Sequence, residues 1–132
     1  MFTEKKLAMS IFIHESTSDL PSITLDKRTG TFEISGASFP EDAREFYKPV
    51  IQWIDDFAEE PLDELCLCFK LTYYNTSSSK MIHSIFEKFE ELHDKGYAIT
   101  IKWYHEADDE DMYESGLGYK DRIDIPFEII EM

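Results

Sequence analysis

The stretch Glu64-Leu65-Cys66-Leu67-Cys68-Phe69-Lys70-Leu71-Thr72-Tyr73-Tyr74 is apolar almost throughout, with Lys70 and Thr72 as its only interruptions after Glu64. Apolar residues at both odd and even positions predict a central β-strand covered on both faces. A polar segment, Asn75 to Ser79, follows. Then Ile82, Ile85, Phe86, Phe89 and Leu92 recur at helical spacing and predict an amphipathic helix. Lys95 and Gly96 supply a C-terminal charge and a C′ glycine. This strand, turn and helix set the pattern for the rest of the chain.

Downstream, Tyr97 to His105 alternates and is β-rich, so it predicts another strand. Asp108 to Tyr119 is acidic and predicts a short helix. Ile125 to Ile130 predicts a last strand, with Pro126 pointing to an edge position. Upstream, Phe46, Val50, Ile54 and Phe57 form one apolar helix face after an acidic start at Glu41. Pro49 inside that pattern predicts a kink or a fresh start near Tyr47. Glu59 to Pro61 ends the helix. Ile23 to Leu25 and Thr31 to Ser35 predict two short strands around a turn over Asp26 to Gly30, and Gly36 to Pro40 a loop. Strands alternating with helices predict an α/β fold with a mixed, mostly parallel sheet and helices packed on it. The expected organisation is an N-terminal lead-in or extra strand over residues 1–22, with Leu7 to Ile13 as its apolar part, and a single domain over residues 23–132.

The composition narrows the function. The chain has 132 residues, 42% of them hydrophobic, enough for a core without a disulfide or metal staple. Thirteen basic against 28 acidic residues give a net charge of −15, which repels nucleic acid and anionic lipid. Neither nucleic acid nor a membrane is expected as a partner, and no stretch approaches the ~18 apolar residues of a membrane span. Cys66 and Cys68 lie on the same face of their strand, as small hydrophobes, and suit a reducing cytoplasm.

No catalytic, cofactor or metal motif appears. His83 and His93 lie ten apart on one predicted helix as boundary residues. Gly116-Leu117-Gly118 is too short for a phosphate loop. Asp108-Asp109-Glu110-Asp111 lacks the ligand spacing of a calcium loop and suits a solvated helix start. The most informative segment is Tyr74-Asn75-Thr76-Ser77-Ser78-Ser79-Lys80, between the most apolar strand and the best helix. Asn75 or Thr76 can cap the helix. The same hydroxyls can also accept a phosphate. A phosphate would add about −1.5 to −2 charge beside backbone N–H donors and rewrite the surface without rebuilding the fold.

Several motifs carry a family resemblance in their order and spacing. They are Gly30-Thr31-Phe32-Glu33-Ile34-Ser35-Gly36 with Ser38 and Pro40-Glu41, then Phe46-Tyr47 with Pro49-Val50-Ile51 and Trp53. Asn75-Thr76-Ser77-Ser78, Ile101-Lys102-Trp103-Tyr104, Asp108-Asp109-Glu110-Asp111-Met112 and Pro126-Phe127 complete them. From Ile23 to Ile130 the chain resembles the SiaC-type bacterial regulatory phosphoproteins. The resemblance implies a STAS-like fold, akin to anti-sigma-factor antagonists, with no cofactor and no catalytic residue. It implies Thr76 as the phosphoacceptor, with Ser77, Ser78 and Ser79 as adjacent alternatives. Tyr74, Asn75, Ser77, Ser78 and Lys80 would form the switch turn and the partner surface. A kinase of the histidine-kinase-like ATPase type would add the phosphate and a PP2C-like phosphatase would remove it. The unphosphorylated form would bind and activate a diguanylate cyclase, a link to cyclic-di-GMP signalling and biofilm behaviour. Two other outputs stay open: an anti-sigma-factor antagonist acting on an anti-sigma kinase, and a small enzyme using a metal at Asp108 to Asp111.

Overall fold

The computed structural model describes residues 11–132. Its strands are β1 (Ile11–His14), β2 (Ser22–Asp26), β3 (Thr31–Ser38), β4 (Glu64–Tyr74), β5 (Ala98–His105) and β6 (Phe127–Glu131). Its helices are α1 (Ala43–Phe57), α2 (Thr76–Asp94) and α3 (Glu110–Arg122). The strands form one sheet in the order β1-β2-β3-β4-β5-β6. The β1–β2 and β2–β3 pairs are antiparallel, and the remaining pairs are parallel. The fold is therefore a mixed, mostly parallel α/β sheet, as expected. Ile11 to Ile13 falls in the extra edge strand. The rest of the N-terminal apolar stretch, Leu7 to Ser10, lies outside the described residues.

Each parallel step crosses through one helix, and the sheet grows in one direction. Crossovers of the usual right hand then put all three helices on the same face. The burial pattern follows from this. On β4, Leu65, Leu67, Phe69 and Leu71 are buried, while Cys66, Cys68 and Lys70 between them are only half-buried. β5 repeats the pattern, with Ile99, Ile101 and Trp103 inside and Thr100, Lys102 and Tyr104 half outside.

This corrects the expectation that β4 is covered on both faces. One face carries the helices. On the other, Lys70 Nζ pairs with Glu33 at 3.0 Å and sits 5.1 Å from the centroid of the Tyr104 ring. The cysteines lie on this open face, with their sulfurs 3.9 Å apart. Burial, and then the neighbouring Cys68, push the Cys66 thiol up to about 11, so it stays protonated at neutral pH.

Two further departures have local causes. The sequence pattern splits or kinks the first helix at Pro49, but α1 runs from Ala43 to Phe57 as one helix. Pro49 lies on its exposed side, where water can take the backbone carbonyl that proline leaves unbonded. β3 continues past its expected end at Ser35 to Ser38. Gly36 has φ of 93°, and the register shifts there, so Gly36 faces Leu71 while Ala37 faces Tyr73. The extra residue on β4 is a bulge. It carries Ser38 alongside Tyr74, at the head of α2.

The core beneath α3 centres on Trp103. Its ring lies within 6.5 Å of Phe69, Phe86, Tyr119 and Phe127, and its Nε1 donates to the Met112 carbonyl at 2.9 Å. Gly116 lets the helix come this close. A Cβ there would sit 2.6 Å from Trp103 Cδ1, whereas one at Gly118 would meet only Arg122 Nη2 at 3.7 Å. The Gly-Leu-Gly segment is thus a packing device within a helix. Alanine normally gains about 1 kcal/mol over glycine inside a helix. Gly118→Ala should show part of that gain in urea denaturation. Gly116→Ala should instead lose about 1–3 kcal/mol through overpacking. Equal effects at the two positions would refute the Trp103 contact as the reason for Gly116.

Candidate functional site

β4 and α2 are separated by one residue, Asn75. Its extended backbone makes it the N-cap of α2, and its Oδ1 accepts from Ser78 N at 2.9 Å and from Ser77 Oγ at 3.2 Å. Asn75 N donates to the Ser38 carbonyl at 3.0 Å, which ties the turn to the end of β3. Ser79 Oγ donates to the Thr76 carbonyl at 2.8 Å and closes the first turn. Asparagine does the capping, which leaves the Thr76 side chain exposed.

Beneath the turn lies a buried hydroxyl cluster. Ser38 Oγ is 3.0 Å from Ser78 Oγ and 2.7 Å from Tyr47 Oη. Ser38, Ser78 and Tyr47 are all 0% exposed. Burial pushes the Tyr47 hydroxyl up to about 12, against a smaller lowering by Ser38. β3, α1 and α2 are pinned together here by hydrogen bonds.

The residues singled out in the sequence therefore divide. Thr76, Ser77 and Lys80 are exposed, and Tyr74, Asn75 and Ser79 are half-buried. Ser78 is fully buried and bonded inward, so it belongs to the foundation of the turn and not to its surface.

Above the turn, α2 and α3 border a surface groove of about 560 Å³. Tyr74, Asn75, Thr76 and Ser79 form one wall; Asp111, Glu114, Ser115, Gly118, Tyr119 and Arg122 form the other. Tyr119 Oη donates to the Ser79 carbonyl at 3.2 Å and joins the two helices at the groove floor. Burial, with Tyr74 nearby, raises the Tyr119 hydroxyl above the usual tyrosine range. At the ends of β4 and β3, Tyr73 is 55% exposed and Phe39 is 39% exposed, with their rings 5.6 Å apart; neither lines the groove.

The acidic run serves α3. Asp109 caps it, accepting from Met112 N at 3.0 Å, and Glu110 and Asp111 sit in its first turn. Among the described residues, no three His, Cys, Asp or Glu side chains converge to hold a metal ion. His83 and His93 are half-buried, at the boundary of the α2 core face. Arg122, Asp111, Glu114 and Tyr119 are absent from the sequence-derived site. Their place depends on how α3 lies against α2, which no local pattern states. Ser78 did carry a signal, because it continues the spacing of Ile82, Ile85 and Phe89 one turn earlier.

Residues 14–132 match the profile of the SiaC family regulatory phosphoprotein. An uncharacterized protein of Pseudomonas aeruginosa is 30% identical over 113 residues, covering 86% of this chain and 90% of that protein. The structure of SiaC of Pseudomonas aeruginosa is similar with a TM-score of 0.83 and 28% identity, covering 93% of this chain and 99% of that one. A chain in the crystal structure of the diguanylate cyclase SiaD in complex with its activator SiaC, from the same organism, is similar too. It has a TM-score of 0.86 and 28% identity, covering 92% of this chain and 99% of that one.

The buried cluster makes a pH-dependent prediction. Unfolded tyrosine ionises near pH 10, whereas Tyr47 in the fold holds its proton to about 12. The unfolded state therefore loses a proton first, and stability falls as pH rises from about 10 to about 12. Tyr47→Phe should cost about 1–2 kcal/mol at pH 7 through the lost hydrogen bond. Its stability should then fall less steeply in that window, by up to ~1.4 kcal/mol per pH unit for the one proton removed. Urea titrations of both proteins between pH 7 and pH 12 measure this, and parallel curves would contradict it.

Proposed function

Because the chain belongs to the SiaC family of regulatory phosphoproteins, we propose that it is a partner switch controlled by reversible phosphorylation of Thr76. The unphosphorylated form binds and activates a diguanylate cyclase, and the phosphate releases it. The observation that carries this reading is the exposed Thr76 hydroxyl at the first position of α2, on a turn fixed from below by Asn75, Ser78 and Ser38. The complex of the related SiaC with its cyclase supports the choice of partner class.

The electrostatics favour this turn as the modified one. α1 carries Glu45 in its first turn and α3 carries Glu110 and Asp111, whereas the first turn of α2 has no acidic residue. The first turn of α2 therefore brings no negative charge of its own to the positive pole of the helix, and a phosphate on Thr76 would supply one. Ser77 and Ser79 stand as alternative acceptors, because both have accessible surface.

The switch would act within a single regulatory domain over residues 23–132, with residues 1–22 as its lead-in, in the cytoplasm. Among the described residues, no helix is long and apolar enough to cross a membrane. A kinase of the histidine-kinase-like ATPase type would load Thr76 and a PP2C-like phosphatase would clear it. In this reading the protein is not an enzyme: it contributes surface, and the cyclase contributes catalysis.

The test uses the diguanylate cyclase encoded by the same organism. Thr76→Ala should bind it as the unmodified protein does and keep it active. Thr76→Asp, and protein carrying phosphothreonine at position 76, should bind at least about tenfold more weakly, a loss of ~1.4 kcal/mol. Equal binding by all forms would sink the switch. Capture of an anti-sigma kinase, with no cyclase binding, would keep the switch and replace its output.

A further inference from the structure

We propose that Arg122 receives the phosphate of Thr76, and that this internal clamp closes the groove between α2 and α3 to a partner. The inference rests on the assignment of Thr76 as the phosphoacceptor and adds how the charge is read.

Thr76 and Arg122 line the same groove, and rigid parts connect them. Thr76 and Ser79 are three apart on α2 and share a helix face. The Ser79 carbonyl accepts from Tyr119 Oη at 3.2 Å. Tyr119 and Arg122 are three apart on α3, and the Arg122 guanidinium carbon lies 5.2 Å from the Tyr119 ring centroid. One turn of α2, one hydrogen bond and one turn of α3 therefore separate the hydroxyl from the guanidinium.

The charges around the groove select a single cation. Of the residues lining the groove that holds Thr76, Asp111 and Glu114 are acidic and Arg122 is basic. A phosphate at Thr76 is repelled from the α3 N-terminal half and attracted to its C-terminal end. Lys80 is the rival cation, four residues from Thr76 on the same helix. It lines the adjoining depression of about 280 Å³ with Ser79, His83, Tyr119 and Arg122, but not the groove that holds Thr76. Arg122 borders both.

Arg122 is also poised to change partners. Among the described residues its side chain makes one hydrogen bond, from Nε to the Gly118 carbonyl at 3.1 Å, and the residue is exposed. The rest of its planar fork can take two phosphate oxygens at once, a geometry that a lysine ammonium does not offer. Engaged in this way, it bridges the head of α2 to the tail of α3 across the groove. The partner then loses both the cleft and its one cation.

The experiment installs phosphothreonine at position 76 by genetic encoding, in the full chain, without any kinase. Phosphorus-31 NMR then follows the second ionisation of the phosphate in the otherwise unchanged protein and in R122Q, R122K and K80Q, each checked for folding by circular dichroism. A clamped phosphate should ionise at least about half a pH unit lower than in R122Q, with R122K between the two. K80Q should follow the protein with Arg122 intact. Coincident titrations with and without Arg122, or a shift that follows Lys80 instead, would overturn the clamp. A separate failure to find phosphate on Thr76 in cells would remove the switch while leaving the titration result standing.

Discussion

The hydroxyl cluster of Ser38, Ser78 and Tyr47 is the constraint on which the functional turn depends. Three polar side chains with no solvent exposure must satisfy one another, because an orphaned buried hydroxyl costs about 1–3 kcal/mol. They can do so only if the ends of β3 and α2 and the second turn of α1 meet at one point. The β4 bulge opposite Gly36 and Ala37 sets Ser38 there, and the backbone bond from Asn75 N to the Ser38 carbonyl locks the strand ends in step. With Ser78 held inward and Asn75 capping, the next residue outward is Thr76. The turn can therefore be rigid in its backbone while the Thr76 and Ser77 side chains stay exposed.

The sheet topology explains why the site is a groove and not a pocket. In open α/β sheets, enclosed ligand sites form where the strand order reverses and neighbouring crossovers diverge to opposite faces. Here the order runs from β1 to β6 without reversal, so the helices lie side by side on one face. Adjacent helix ends leave shallow clefts such as the one between α2 and α3. A shallow, open cleft of this kind suits contact with another protein surface.

The regular elements were legible because their periodicity is strong, and the errors came from features that periodicity does not encode. β4 reads as doubly covered only if its cysteines count as core hydrophobes. Its even positions, Cys66, Cys68, Lys70 and Thr72, are in fact the less apolar set, and that alternation marked the open face. Pro49 suggested a break that does not occur, because a proline on the exposed side of a helix costs only what solvent fails to replace. The turn itself was visible as a hydroxyl cluster between two strong elements. Its second wall is not, since Arg122 and Glu114 reach the groove through the docking of α3, by Gly116 on Trp103 and Tyr119 on Ser79.

The large negative charge of the chain sets how such a switch can work. At −15, adding a phosphate changes the net charge by little more than a tenth, so the long-range field scarcely reports it. Salt further screens exposed charges beyond about 8 Å under physiological conditions. A phosphate on Thr76 can therefore be read only by groups within a few ångströms. The charged groups that line the groove with Thr76 are Asp111, Glu114 and Arg122, beside the head of α2. A partner that responds to the modification must touch this groove. The groove side of α3 is acidic toward its N-terminus and basic at its C-terminal end, so the direction in which an added charge is pulled depends on where along the groove it sits.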